Sequence, residues 1–508
     1  MLKRSLIFIH RWLGVALCVL FLLWFPSGIG MMYFPMPSVT QSDRLQRLPA
    51  LQASTVAVSP ADAAAKLGVD ADDLRLSSFD GRPAYRAGDG RSGGGPVLYA
   101  DTGEEQGDVS TEMVQRIASA WTGQPVNAAS VEEVTEVDQW TLQTRLGALS
   151  PVFKYSWPNG EQVYVSQATG EVVQYTTTAS RIGAYLGPIP HWFYFTPLRK
   201  HGLEWSRVVI WSSGIGTISA ILGVVIGLWM YSPSRKYRYA GTATSIPYRG
   251  QKRWHTVFGL IFGVATVTYA FSGMLSMDPF PSFNDRQQLR RGGGDTNIFA
   301  ALRGDLDPAS FDAKHPRQAL EQLGALPVKE LELTSFAGDA VYLARLENGE
   351  TRVVPMQGDP KSGFDQKEIV RVVSAAADGR MTTRVLNQYD RYYLDRTRRL
   401  PLPVVLAEGT SGEQTRYYID PKTARVVQTY DSSNWVNRWL YNGLHSLNFP
   451  WLYNYRPLWD IVVITLMLGG TALCVTSLVL AWRVLGRKLA RVLNTKGAGE
   501  ATLSEDLA

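Results

Sequence analysis

The sequence predicts an α-helical membrane bundle of four spans, built from two parallel repeats, with α+β domains outside the bilayer. Three observations point there. Four long apolar runs interrupt a 508-residue chain whose mean hydropathy is only −0.09. Basic residues gather on one side of those runs. The second half of the chain rewrites the first.

A bilayer core needs about 20 consecutive apolar residues. The runs Ser5–Tyr33, Val208–Tyr231, Trp254–Met277 and Leu458–Leu485 meet that length. They set the expected organisation: a first span within 1–33, a polar region over 34–206 and a second span over 207–232. A basic loop over 233–253 leads to a third span over 254–277 and a second polar region over 278–457. A fourth span over 458–485 and a tail over 486–508 complete it. The first run is longer than a signal-peptide core and no small-residue cleavage site follows it, so it reads as a retained anchor.

Charge orients the chain. The loop between spans two and three carries Arg235, Lys236, Arg238, Arg249, Lys252 and Arg253 with no acidic residue; Lys3, Arg4 and Arg11 flank the first span; Arg483, Arg487, Lys488 and Arg491 follow the last. Basic flanks stay in the cytoplasm. Both termini are thus expected inside a bacterial inner membrane and both large polar regions in the periplasm. The net charge of +6 then reflects topology, not nucleic-acid binding. The only cysteines, Cys18 and Cys474, fall inside spans, so the outer regions hold no disulfide. No Cys-x-x-Cys-His occurs, which excludes covalently attached c-type haem.

Self-comparison carries the most information. HRWLGVALCVLFLLWFPSG from His10 matches HTVFGLIFGVATVTYAFSG from His255; Gly14 pairs with Gly259 and Ser27-Gly28 with Ser272-Gly273, at an offset of 245. LRLSSFDGRPAYR from Leu74 matches LELTSFAGDAVYL from Leu331, and TGEVVQY from Thr169 matches TARVVQT from Thr423, where the offset reaches 254. Each half reads span, outer domain, span. Two spans return the chain to its starting side, so the halves are expected as parallel repeats about an axis along the membrane normal. In the outer regions Ser59–Gly68 opens as a capped helix with Pro60 at its first position, and His315–Gly324 is its partner. Glu161–Tyr175 and Gln414–Tyr430 alternate as hairpins. A helix followed by alternating strands recurs about twice in each half. The glycine loops Arg91–Pro96 and Arg290–Asp295 lack the Lys-Ser/Thr of a phosphate loop.

Four of the six histidines form repeat-related pairs. His10 corresponds to His255, near the cytoplasmic ends of spans one and three. His191, in PHWFYFTP, corresponds to His445, in LHSLNFP, on segments leading into spans two and four. Each of these two lies 14 residues before a tryptophan, Trp205 and Trp459. Symmetry puts the members of a pair at one depth, facing across the axis, while the two pairs lie near opposite faces of a core about 30 Å thick. Zinc wants four ligands, and no cysteine or carboxylate repeats beside these histidines. Haem iron takes one or two axial imidazoles, because the porphyrin supplies four nitrogens. Gly14 and Gly259, four residues after their histidines and on the same helical face, would leave room for the ring. Two haems are therefore expected per chain, with iron held by His10 and His255 and by His191 and His445. A lone interfacial histidine is more often a hydrogen-bonding residue; the two matched pairs argue otherwise. His201 reads as a surface residue, with the place of His191 as its alternative role, and His315 reads as structural. Met32 and Met277 read as packing, and the aromatics Trp192, Phe193, Tyr194, Trp439, Tyr441 and Trp451 as an interfacial belt, with a few lining the outer pocket.

His-Arg-Trp-Leu-Gly at the first span, LHSLNFP before the last and the units ending in ATGEVV resemble the PepSY-associated transmembrane family over nearly the whole chain. Its members include inner-membrane siderophore reductases such as the ferrioxamine reductases. The resemblance implies four spans, b-type haem and electron delivery to a periplasmic ferric siderophore. His10 matches the family's first-span histidine and His445 its histidine before the last span; His255 departs from the motif, being followed by Thr-Val-Phe-Gly. No acid–base residue stands out, and none is needed for one-electron reduction. The cytoplasmic segments are too short for a flavin or nicotinamide domain, so a quinol or a separate reductase is the expected donor. Two other classes compete: a membrane-anchored PepSY-type sensing or inhibitory module without redox activity, and a transporter of haem or an iron complex.

Overall fold

The computed structural model describes residues 1–88, 95–144, 146–279, 298–377, 380–395, 399–410, 415–431 and 434–505. The glycine loop Arg290–Asp295, most of Arg91–Pro96, and Gln414 at the head of the second hairpin lie outside the described residues. The chain divides into two compact units: Met1–Met36, Ile182–Asn284 and Trp435–Ala508 form one, and Pro37–Arg181 with Asp285–Asn434 the other.

The first unit is helical and belongs to an integral membrane protein. Its long helices are Leu2–Tyr33, Gly202–Met230, Gly250–Leu275 and Leu458–Glu505, and each contains a window apolar enough to cross a bilayer. Their exposed side chains are largely aliphatic or aromatic, among them Val19, Ile218, Ile221, Ile261, Val264, Leu468 and Trp482. Lipid offers no hydrophobic drive for helix association, so close packing over small residues does the work. A Cβ on Gly216 would lie 2.9 Å from Phe21, and one on Gly470 would lie 2.3 Å from Phe25, so each ring occupies the hollow a glycine leaves. Helix ends do not coincide with the apolar edges. The second long helix starts at Gly202, ahead of the sequence boundary at 207, and the fourth runs past 485 to Glu505. Backbone hydrogen bonding tolerates Glu204 and Arg207 in the first case and a basic run in the second, so hydropathy alone misplaces the ends. In the loop between the second and third helices, Tyr237–Tyr239 and Thr242–Thr244 form a short hairpin.

The segments bearing His191 and His445 pack with the helices and not with the sheets. Pro188–Trp192 and Thr196–Arg199 are short helices before the second long one; a π-helical stretch, Val436–Gly443, followed by Leu444–Ser446 and Pro450–Tyr453, precedes the fourth.

The second unit is α+β. A six-stranded antiparallel sheet runs in the order Thr351–Pro355, Asp339–Leu346, Val328–Phe336, Leu74–Phe79, Arg82–Ala87, Val97–Tyr99. Its central pairing joins the two halves of the chain: Arg75 faces Glu332 and Leu76 faces Leu331. Leu76, Tyr85, Leu331, Leu333 and Tyr342 are fully buried on one face of it. Two four-stranded sheets follow the same plan in each half. One is Ser130–Glu133, Val152–Ser156, Gln162–Ser166 and Glu171–Thr176; the other is Met381–Leu386, Val404–Gly409, Arg416–Asp420 and Arg425–Tyr430. Helix Pro60–Leu67 is capped by Ser59, which accepts from the Asp62 backbone N–H, and stops at left-handed Gly68. Its counterpart Pro316–Leu323 is capped by His315, which accounts for that histidine.

Candidate haem sites

The four histidines come together as two couples. The rings of His10 and His255 lie 6.2 Å apart between centroids, at the N-terminal ends of the first and third long helices. Those of His191 and His445 lie 5.9 Å apart, beside the C-terminal ends of the same helices. A first-row metal ion holds an imidazole nitrogen at about 2.0–2.1 Å, so one ion between two imidazoles separates their centroids by about 6.3 Å. The His10–His255 couple stands close to that spacing and the His191–His445 couple about 0.4 Å inside it.

In each ring Nδ1 is taken by protein oxygen. His10 Nδ1 is 3.0 Å from the Ser219 carbonyl. His255 Nδ1 meets Thr476 Oγ1 and Ser477 Oγ, each at 3.3 Å, and the Leu473 carbonyl. His191 Nδ1 is 3.1 Å from the Trp24 carbonyl and 3.2 Å from Ser27 Oγ. His445 Nδ1 is 3.1 Å from Ser272 Oγ and bonds the Tyr269 carbonyl. A carbonyl accepts, so Nδ1 carries the proton and Nε2 keeps its lone pair, the tautomer a metal-ligating imidazole adopts. Nε2 forms no hydrogen bond in any of the four rings among the described residues.

His191 and His445 lie outside the long helices. Burial, with His445 close by, pushes His191 down to about 3, and burial pushes His445 down to about 4. Both rings are neutral at physiological pH, which is the ligating form.

The anchoring is local and repeated. Trp205 Nε1 donates to the Trp192 carbonyl at 2.7 Å, and Trp459 Nε1 donates to the Ser446 carbonyl at 3.0 Å, pinning the residue after each histidine. Two residues after each histidine the backbone turns left-handed, at Phe193 (φ 53°) and Leu447 (φ 48°). Non-glycine residues rarely adopt that region, and such strain gathers at functional sites. Gly30 and Gly187 bring backbone against backbone: a Cβ on Gly30 would sit 2.3 Å from the Leu186 carbonyl oxygen. Gly223 makes room for His10, whose Cε1 would be 2.8 Å from an added Cβ.

A cavity of about 70 Å³ opens on the His191–His445 couple. Its walls are mainly aromatic, with Trp24, Trp192, Trp205, Tyr269 and Tyr441 among them, and Met277 and Met467 add sulfur. Trp192, Tyr441 and Met277 thus line it, whereas Trp451 is 69% exposed and Met32 packs in the helical core. The Tyr269 hydroxyl is buried without a hydrogen-bond partner among the described residues. His201 is exposed at the start of the second long helix and joins neither couple. A Cβ on Gly14 would meet nothing within 4 Å, and one on Gly259 only Leu473 at 3.9 Å. Among the described residues no three His, Cys, Asp or Glu side chains converge on a point. Paired neutral imidazoles beside an aromatic cavity suit a porphyrin iron, which brings its own four nitrogens.

The sequence offered no reason to select Ser219, Thr476, Ser477 or the Trp24 and Tyr269 carbonyls. Ser27 and Ser272 were visible as a repeated Ser-Gly, and the tryptophans as a repeated spacing.

Residues 8–331 match the family model described as the PepSY-associated TM region. The chain belongs to that family. The match takes in His10, His191 and His255. No curated protein matches the chain significantly. Family membership agrees with the four long apolar helices and the α+β unit.

Proposed function

We propose that this member of the PepSY-associated transmembrane family is a dihaem b-type reductase of the bacterial inner membrane, built as two parallel repeats. Both termini are cytoplasmic and the sheet-bearing unit is periplasmic, following the basic flanks. The protein carries electrons across the membrane to a periplasmic acceptor, a ferric siderophore, and draws them from a quinol or a separate reductase. The supporting observation is the pair of imidazole couples at 6.2 and 5.9 Å, each ring with Nδ1 bonded and Nε2 unengaged.

Bound haem supplies one-electron transfer. The chain's residues position and insulate it. Ser219 and Leu473 at one couple, and Trp24 and Tyr269 at the other, fix tautomer and ring direction through their carbonyls. The aromatic wall excludes water and lowers the local dielectric, which tunes a potential. One electron delivered to a ferric siderophore leaves Fe(II), which hard oxygen ligands hold less tightly.

A reduced-minus-oxidised spectrum with haem quantitation tests this on full-length protein from haem-replete cells. Two haems per chain are expected. His10→Ala and His255→Ala should each lose one spectral component, and His191→Ala and His445→Ala the other. Colourless wild-type protein would overturn the reading and favour a sensing module.

A further inference from the structure

The two halves of the sheet unit differ at one matched place. In the second half a cleft of about 390 Å³ lies between helix Ile298–Arg303 and the strand ends at Thr334, Ser335 and Arg425. In the first half the corresponding residues are Ser77, Ser78 and Glu171. There Glu171 is clamped by Arg44 at 2.7 Å and Arg86 at 2.6 Å, and the Phe79 ring lies 2.6 Å from where a Cβ on Gly170 would be. That copy is filled. In the second copy Ala424 and Arg425 replace Gly170 and Glu171, and Phe336 packs in one apolar cluster with Ala424, its ring tilted against Phe364 with centroids 4.8 Å apart. Beside Ala424 and Arg425 the cleft stands open.

The open copy is furnished for a ligand. Thr334 is only 5% exposed, lines the cleft on the sheet face that carries Glu332, and has a hydroxyl without a hydrogen bond among the described residues, while the Ser335 side chain alternates to the other face. The Arg303 and Arg425 side chains, 55% and 39% exposed, also line it. Their acidic neighbours are Asp72, 3.6 Å from Arg303, and Glu332, which pairs with Arg425. The Arg303–Asp72 pair is exposed and exchanges readily. Glu332 also keeps Arg345 at 3.0 Å, so Arg425 can turn to a ligand without leaving a buried carboxylate alone. Phe299, 54% exposed at the rim, offers an aromatic face.

We infer that this cleft binds a small organic carboxylate carried on a flat apolar body. Planar guanidinium forks match a carboxylate through paired, charge-assisted hydrogen bonds. The Thr334 hydroxyl completes the polar end, and Phe299 packs on the body. The assignment goes beyond the haem reading and does not depend on it.

Benzoate and its uncharged amide, benzamide, serve as probes in calorimetric or ligand-observed NMR titrations of the full chain in detergent. Wild type should bind benzoate saturably at millimolar concentrations, with benzamide about tenfold weaker or more. Arg303→Gln, on an exposed side chain, should weaken benzoate about tenfold, and Arg425→Gln likewise. Ala300→Trp, on the exposed rim, should block binding without changing charge. Arg371→Gln removes an exposed cation elsewhere in the unit and should change nothing. Saturation absent in wild type, equal binding of benzamide, or benzoate affinity unchanged in Arg303→Gln and Ala300→Trp would each overturn the assignment. If Arg425→Gln does not fold, the other two variants decide. No haem enters the readout, so failure here and failure of the spectral test are separate results.

Discussion

Gly14 and Gly223 distinguish a haem site from a merely packed histidine. Both concern His10, but they present opposite surroundings. An alanine Cβ at Gly223 would fall 2.8 Å from His10 Cε1, so Gly223→Ala must displace the ring whatever its role. At Gly14 an added Cβ meets no protein atom within 4 Å. Alanine outranks glycine inside a helix by about 1 kcal/mol, so without a ligand Gly14→Ala should be neutral or stabilising. If a porphyrin edge occupies that face, Gly14→Ala should instead lower haem occupancy at the His10–His255 couple and leave the other couple intact. Haem-to-protein ratio and thermal melting of the same preparation separate the two outcomes. At this scale the sequence marked, by duplication, the four rings that the structure brings together as two couples. It did not reveal what holds them. The Ser219, Leu473, Trp24 and Tyr269 groups are backbone carbonyls, and a carbonyl leaves no trace in residue identity. Tyr269 stands where the first half has Trp24. Its unpartnered hydroxyl lines the cavity, and Tyr269→Phe should therefore shift the midpoint potential of the His191–His445 component alone, read by redox titration.

Strands and helices followed local pattern closely where the pattern was local. Ser59–Pro60 and His315–Pro316 open helices, and the two alternating stretches after Gln162 and Arg416 pair as hairpins. The central ladder between Leu74–Phe79 and Val328–Phe336 had no such signal. Its partners are more than 250 residues apart, and pairing at that range is decided by the surface left over when each half has folded its own hairpins. That ladder puts Arg75 and Glu332 opposite each other, and Glu332 is further held by Arg345 and Arg425. Burial alone would raise the Glu332 carboxyl, but the Arg425 and Arg345 guanidiniums outweigh it and hold the group below its ordinary value. A carboxyl depressed on folding contributes stability above its unfolded pKa, about 4.3, and loses it as pH falls through the folded value. Unfolding of the sheet unit, followed by far-ultraviolet circular dichroism, should thus become easier as pH drops below about 4.3. Glu332→Gln should be less stable at neutral pH and show a shallower acid slope.

For the molecule as a whole, the matched pairs define a distance. His10 and Ser27, which marks the second couple, are separated by seventeen residues of one continuous helix, or about 26 Å at 1.5 Å per residue. Neither couple alone spans a bilayer core of about 30 Å, whereas the two in series nearly do. A reductase that moves electrons across the membrane therefore needs both, and a sensing module needs neither. Proteoliposomes enclosing ferricyanide, with dithionite added outside, read this directly as loss of ferricyanide colour. Wild type should bleach the enclosed dye. His10→Ala/His255→Ala and His191→Ala/His445→Ala should each slow bleaching at least about tenfold, as removing either step of a series must. An enclosed fluorescent anion retained throughout rules out leakage. Bleaching equal to wild type in either double variant would mean that electrons cross without that couple, and the series arrangement would be wrong even if both haems are bound.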